Sequence, residues 1–382
     1  MPIYKIDGEK KNGLQKYRVR VAYQDNNGKT KQVERTCYGL SEAQLTEKQL
    51  LIDYKENHTA APVKMTVNQL IAEYDKYHAQ ETKRTSHDTS MKNLRLRVAP
   101  YLGDVRLDKL TQAQMAKWKT TINEQDLSLT TKRNAYIALT GLINYALKME
   151  YIPKNPLKPL GTFKDVNRGG SKKEMKFYTE EEFKRFIKCA ENDCHTVDDW
   201  NYYVFFCVLF FMGVRKGEAY GLTWNDIEGN IMHVRRSVSQ KVKDDDGSDY
   251  EDTPKTSTSE RDILIPDQLV EILAAHKKRQ QEAAPLQFND NYRICGKGET
   301  PIRDTSVENH NKKYAKAAGL PHIRIHDYRH SHASFLINKN VNVVVISKRL
   351  GHASITETLN TYSHMYKSSE QEALDVLNEL KI

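Results

Sequence analysis

The chain has 382 residues, with 59 Lys+Arg against 50 Asp+Glu, a formal net charge of +9, 38% hydrophobic residues and 29% charged ones. At roughly 100 to 200 residues per domain this length reads as two or three domains, which excludes a single compact sheet domain, while Gly and Pro are too few for a low-complexity chain. The longest apolar run, residues 202–214 (YYVFFCVLFFMGV), has 13 residues, short of the ~20 that a helix needs to cross a bilayer, so a core helix and no membrane association are expected. The opening MPIYKIDGEKKNG lacks the apolar stretch of a signal peptide, and the expected compartment is the cytoplasm. Cys37, Cys189, Cys194, Cys207 and Cys295 are scattered without CxxC spacing, which argues for reduced structural thiols rather than a disulfide framework or a cysteine zinc site.

The positive charge is unevenly placed. Residues 1–62 carry 11 Lys+Arg against 8 Asp+Glu and residues 65–165 carry 16 against 10, whereas residues 171–382 carry 30 against 32. A basic excess gathered in the front half is the electrostatic footprint of a polyanion binder, most often a nucleic-acid binder.

In chain order, YRVRVAY from Tyr17 to Tyr23 alternates apolar and basic residues, a period-two strand. Asn26-Asn27-Gly28 supplies a turn, and residues 31–37 return as the second strand of a hairpin. Ser41 with Gln44 has capping-box spacing and predicts a helix over 41–57, so the first segment is a small sheet covered by one helix. Residues 59–63 have the composition of a linker. Over 66–163 the apolar spacing is helical (Leu70, Ile71, Tyr74; Met115, Trp118; Tyr136, Leu139, Leu142, Ile143), predicting four or five helices with a basic face, the last stopped by Pro153 and Pro156. Residues 166–176 (VNRGGSKKEMK) read as a hinge. A third segment opens with a helix at Thr179 and includes the apolar helix 202–214. Strands at 231–238 and 261–265 flank an acidic loop, 244–252, placed at the outward tip of a hairpin, and more helices follow. The expected fold is multidomain α+β: a small N-terminal β-sheet plus helix (1–60), an all-α domain (64–165) and a mixed, mainly-α domain with a small antiparallel sheet (174–382).

Four stretches carry chemistry: Gly213-Val-Arg215-Lys-Gly-Glu218, Thr253-Pro-Lys255-Thr-Ser-Thr-Ser259-Glu-Arg261, His326-Asp-Tyr-Arg329-His330, and Leu350-Gly-His352 with Tyr362 ten residues later. An arginine after an apolar helix is often a cap, and a lone His or Tyr is more often a satisfied core residue than a catalyst. Together, in order over about 150 residues, they spell R…K…HxxR…GH…Y, a set whose members gain meaning from one another.

This set resembles the tyrosine recombinases, or phage integrases, and the basic N-terminal module resembles that of temperate-phage and conjugative-transposon integrases. The resemblance implies a site-specific recombinase that integrates and excises a mobile element, cutting and rejoining DNA through a 3′-phosphotyrosine. It implies Arg215 and Arg329 as phosphate clamps and His326 as acceptor of the tyrosine proton or positioner of the phenol. His352 would be a phosphate hydrogen-bond donor, Lys255 the acid for the 5′ oxygen, and Tyr362, rather than Tyr366, the nucleophile. No metal, nucleotide or other cofactor is implied. Glu218 and Asp327 would orient these groups, and His330 is a second histidine of unassigned role. Implied partners are double-stranded DNA at arm sites (residues 1–60) and core sites (64–165 and 174–382), a homotetramer on synapsed DNA, an excisionase and a host DNA-bending protein. Residues 368–371 read as a cap for a short amphipathic helix bearing Leu374, Leu377 and Leu380, which must dock either on its own catalytic domain or, as the resemblance implies, on a neighbouring protomer.

Three rival readings compete. His326 and His330, four apart, resemble the paired histidines of a zinc hydrolase helix, but that reading leaves Arg215, Lys255 and Tyr362 unexplained and sets Arg329 between two metal ligands. A non-catalytic DNA-binding regulator has no use for a complete constellation. A type IB topoisomerase shares the chemistry but not the two extra basic segments.

Overall fold

The computed structural model describes residues 3–11, 13–24, 30–52, 64–165, 175–244, 246–252, 260–365, 374 and 377–379. It divides into two compact units, residues 1–170 and 171–382.

The first unit opens with strands β1 (Ile3–Lys11), β2 (Leu14–Gln24) and β3 (Thr30–Tyr38), joined antiparallel in that order with Val19 opposite Arg35 and Val21 opposite Val33. The sequence pattern showed β2 and β3 but not β1, whose residues mix charge and apolarity without alternation. Helix α1 (Leu40–Leu51) closes one face, burying Ala43 and Leu50 with Val19, Val21 and Cys37. It corrects the predicted cap. The helix starts at Leu40, one residue before Ser41, its N-cap is Gly39 at φ 99°, and Glu42 accepts the Tyr38 N–H instead of a serine hydroxyl doing so.

A separate all-helical core follows, built from α2 (Val67–Glu81), α3 (Arg84–Asn93), the one-turn α4 (Ala99–Leu102), α5 (Gln112–Glu124) and α6 (Leu129–Lys148). Thr66 and Thr111 cap α2 and α5 through capping boxes with Gln69 and Gln114, which satisfy N–H groups that a helix start leaves open. Helix α6 ends before Pro153: Glu150 turns into the left-handed region (φ 58°) and Tyr151 N–H bonds back to the Ala146 carbonyl.

The second unit is organised around α8 (Val197–Met212), which packs against α7 (Glu180–Asn192), α10 (Asp267–Ala283) and α12 (Asp327–Asn338). The predicted apolar helix is therefore five residues longer at its start, because Thr196 and Asp199 form a capping box outside the apolar run. It stops at Gly213, whose φ of 64° closes the helix in the left-handed region. After the short α9 (Lys216–Gly221), strands β4 (Ile227–Glu228) and β5 (Ile231–Val234) pair with β8 (Arg261–Leu264) in the order β4-β5-β8. The predicted strand over 231–238 is two strands: after β5 the chain turns into β6 (Ser237–Lys243), which pairs with β7 (Asp249–Asp252). Four residues of the predicted acidic loop are thus the strand β7, and Asp244 and residues 246–248 remain as its described tip. A second small pair, β9 (Gly296–Lys297) and β10 (Thr300–Pro301), precedes α11 (Asp304–Ala317). After α12, helices α13 (Val343–Leu350) and α14 (Ile355–Tyr362) bury Ile346, Leu350 and Tyr362 against Ala333 and Ile337 of α12. No helix among the described residues is long and apolar enough to cross a membrane.

Candidate active site

Five chain segments converge in the second unit, each fixed by local geometry. The turn after α8 delivers Arg215. Gly213 is required there twice over, since its φ is positive and a Cβ on it would lie 2.4 Å from the His332 ring. Arg215 begins α9, its backbone N–H donating to Glu218 Oε2 (2.8 Å) and its Nη1 to Glu218 Oε1 (3.0 Å). Glu218 is 4% exposed, and such a carboxylate needs cationic and hydrogen-bonding partners. Its second partner is Arg261, at the start of β8: Nη2 and Nη1 reach the two carboxylate oxygens at 2.8 and 3.2 Å. Hydrogen bonds from Arg261 and Arg215 hold Glu218 below the usual carboxylate range even though burial pushes it up. Arg261 Nε also donates to the Arg349 carbonyl at the end of α13 (2.8 Å). Arg215 Nη2 reaches the next-turn carbonyl, Gly351 O (3.4 Å).

The α12 start supplies Arg329, 3% exposed, whose Nη1 donates to the Gly213 carbonyl (2.9 Å). Its Nη2 is buried with no hydrogen-bond partner among the described residues. Burial above all, then Arg215 beside it, lowers its pKa to about 9, so it stays cationic at neutral pH. A buried, half-satisfied guanidinium next to a second one is a strong anion site, because the fork matches two oxygens of a phosphate. His352 follows the left-handed Gly351 and bonds through Nδ1 to Thr358 Oγ1 (2.7 Å). Burial, with Arg329 and Arg215, lowers it to about 4. Tyr362 is 1% exposed, its phenol 2.7 Å from His330 Nδ1, and burial raises it to about 12 against the pull of Arg329.

Arg215, Arg329, His352 and Tyr362 thus come together, with His326 and His330 beside them. His326 is the N-cap residue of α12, its ring edge-on to His330 at 5.1 Å. The histidine bonded to the phenol is His330. Asp327, the first residue of α12, turns to Arg324, accepting from its guanidinium and from its backbone N–H. Lys255 and the tail cap at 368–371 lie outside the described residues. Arg261, which ties Arg215, Glu218 and α13 together, went unassigned at the sequence level; its only signal was an arginine opening a short strand. His332 was likewise unsignalled: Nδ1 donates to the Phe210 carbonyl (2.7 Å), and burial lowers it to about 3. Among the described residues no three His, Cys, Asp or Glu side chains are grouped as metal ligands. With His330 committed to Tyr362, the zinc-hydrolase alternative has no support in the geometry.

The Phage integrase family model matches residues 176–369, about half of the chain, and the Phage integrase SAM-like domain model matches 68–166. The ICEBs1 integrase of Bacillus subtilis (strain 168) is 29% identical over 287 residues, 74% of this chain and 74% of that protein. The transposase from transposon Tn916 of Enterococcus faecalis is 25% identical over 336 residues, 83% of this chain and 78% of its own. Among solved structures, the Tn1549 transposon integrase in complex with a circular intermediate DNA superposes with a TM-score of 0.64 at 21% identity, covering 82% of this chain and 99% of that one. A lambda integrase tetramer bound to a Holliday junction gives 0.54 at 18% identity, covering 93% and 96%.

Proposed function

We propose, from the premise that this chain belongs to the phage integrase family and is a tyrosine recombinase, that its second unit cuts and rejoins DNA at the site built by Arg215, Arg329, His352 and Tyr362. The observation that carries this reading is the placing of the Tyr362 phenol beside a buried arginine with an unpartnered Nη2. Arg329 and Arg215 take the nonbridging oxygens of one phosphodiester, where negative charge grows in the transition state. Tyr362 Oη attacks phosphorus, the P–O5′ bond breaks, and a 3′-phosphotyrosine conserves the bond energy for rejoining. Lys255 gives a proton to the departing 5′ oxygen, and His352 donates to the phosphate. The test is a nicked suicide substrate carrying the ends of the mobile element: a covalent adduct mapped to Tyr362 supports the reading, and one mapped to Tyr366 or none at all sinks it.

The finer assignments follow the charge. Residues 1–60 bind arm sites and residues 64–165 with 174–382 clamp a core site, the latter with affinity falling steeply in salt as phosphate contacts release counterions. Deleting 1–60 should remove arm binding and spare core cleavage. Assembly is as a tetramer on paired sites, in the cytoplasm, with an excisionase and a host DNA-bending protein setting direction. The exposed Val344, Val345, Ile355 and Leu359 offer an apolar face on α13 and α14, and Leu374 and Leu377 of the tail are also exposed. The tail of one protomer covers that face on the next, so truncation after Lys367 should leave core binding and abolish synapsis.

A further inference from the structure

Two histidines flank Arg329, and the structure separates their parts. Tyr362 Oη lies 2.7 Å from His330 Nδ1, with ring centroids 5.7 Å apart at 65°. Among the described residues His326 makes no hydrogen bond to the phenol; it stands perpendicular to His330, ring to ring at 5.1 Å and 89°. The rest of the phenol sits among Ala333, Ile337, Ile346 and Leu350, which offer its hydroxyl no polar alternative.

The charged and titratable groups facing His330 are His326, Asp327, Arg329 and Arg324 from the start of α12 and the segment before it, His352 after α13, and Tyr362 from α14. Burial first, then His326, lowers His330 to about 4, and burial raises Tyr362 to about 12. The resting pair is therefore neutral, and in the tautomer with the imidazole proton on Nε2 the Tyr362 hydroxyl donates and His330 Nδ1 accepts. A nucleophile and an acceptor in hydrogen-bond contact, with the acceptor steadied by a third group, is the arrangement that activates a weak hydroxyl.

We propose that His330, rather than His326, takes the phenol's proton as Tyr362 attacks DNA, and that His326 holds the His330 ring in place. The inference rests on the reading of Tyr362 as the nucleophile. In the step, the Oη–H bond breaks and its proton passes to His330 Nδ1, while the Oη electron pair forms the bond to phosphorus. The P–O5′ bond breaks and O5′ leaves with the proton from Lys255. His330 is then an imidazolium, near Asp327, and returns its proton to Oη when a 5′-hydroxyl attacks the phosphotyrosine. Burial of Tyr362 disfavours a free phenolate waiting for substrate, which suits a proton transfer that accompanies P–O bond formation.

The experiment uses the full chain on a suicide substrate, with core-site binding measured in parallel. His330→Ala is expected to cut cleavage about 100-fold or more while binding is retained. His330→Asn keeps an acceptor oxygen near the Nδ1 position but no base, and stays as defective; it carries the test should the alanine variant fail to fold. Placing a fluorinated, more acidic tyrosine at position 362 should restore His330→Ala or His330→Asn by ~10-fold and leave His326→Ala unrescued, because only loss of the proton acceptor is relieved by an easier proton. A 5′-bridging phosphorothiolate, whose leaving group needs no proton, should rescue Lys255→Ala and not the His330 variants. Wild-type cleavage by His330→Asn, or fluorotyrosine rescue of His326→Ala in place of the His330 variants, would overturn the proposal. Adducts persisting in Tyr362→Phe would instead remove the nucleophile assignment beneath it.

Discussion

The two units handle charge in opposite ways. In the first, Lys and Arg outnumber Asp and Glu, yet every buried residue among those described is apolar or aromatic; ion pairs such as Arg95–Asp75 and Arg106–Asp108 are at the surface, with the arginines 64% and 42% exposed. In the second, opposite charges nearly balance, and all the buried polar and charged residues of the described chain are found there, among them Glu218, His276, Asp327, Arg329 and His332. A surface charge facing DNA remains hydrated and costs little to fold, whereas a charge that must grip a phosphate strongly has to be desolvated before the substrate arrives. The first unit can therefore be stable without regard to function. The second adds to its apolar core buried polar groups, among them Glu218 and Arg329, that also make its site.

The largest effect to follow from this contrast is on chemistry. Tyr362→Phe should take covalent adduct to the detection limit at a cost in stability of about 1 to 3 kcal/mol, since His330 Nδ1 loses its hydrogen-bond partner; a comparable loss in Tyr366→Phe, with Tyr362→Phe active, would move the site.

Next comes Arg261→Ala, which leaves Glu218 with half of its cationic support. It should lower the stability of the second unit by about 3 to 5 kcal/mol, against about 0 to 1 kcal/mol for Arg106→Ala in the first. Hydrogen exchange read separately on α8 and α6 checks both, and equal costs would erase the distinction between the units.

Acid should separate the units further. His276 and His332 are held neutral by burial, to about 4 and about 3, below their unfolded value. Groups of this sign contribute fully above the unfolded pKa near 6.5, and that contribution is lost as pH falls toward the folded value, because the unfolded chain binds the proton first. At pH 5 each costs about 2 kcal/mol. Protection on α8 should fall further between pH 7.5 and 5 than that on α6, whose unit has His78 lowered by burial on α2, and His276→Gln should shrink the α8 drop by one histidine's share. A pH-independent α8 would mean that these imidazoles are not held neutral.

The smallest effect is at the joint of Arg261 with the α13 end. Gly351 has φ 66°, and a Cβ on it would lie 2.9 Å from Arg261 Nη1. Gly351→Ala should cost about 1 to 2 kcal/mol from the backbone alone. It should also lower cleavage more than core binding, since His352 is the next residue.

How much of this was readable beforehand differs by residue. Thr179 with Glu182 announced α7, and the structure has that capping box. Ser41 with Gln44 had the same spacing and was displaced, because the bend at Gly39 lets the helix start one residue sooner. Arg215, Arg329, His352 and Tyr362 were singled out by spacing and are brought together. His330 stood beside them as an unassigned neighbour, and Arg261 was passed over as a strand residue. Nothing local marks either, since each is defined by a partner far along the chain: Tyr362 for one, Glu218 and the Arg349 carbonyl for the other.

The sequence by itself determined the order of the elements, the basic front half, the helical middle and the family to which the chain belongs, because periodicity, caps and motif spacing are properties of neighbouring residues. Only the tertiary structure decided which histidine meets the phenol, that the Asp327 carboxylate pairs with Arg324, and that Glu218 is shared between two arginines. Those outcomes depend on where helices α8, α12 and α14 cross. A hydrogen bond forms or fails over an ångström, a distance set by packing and not by spacing along the chain.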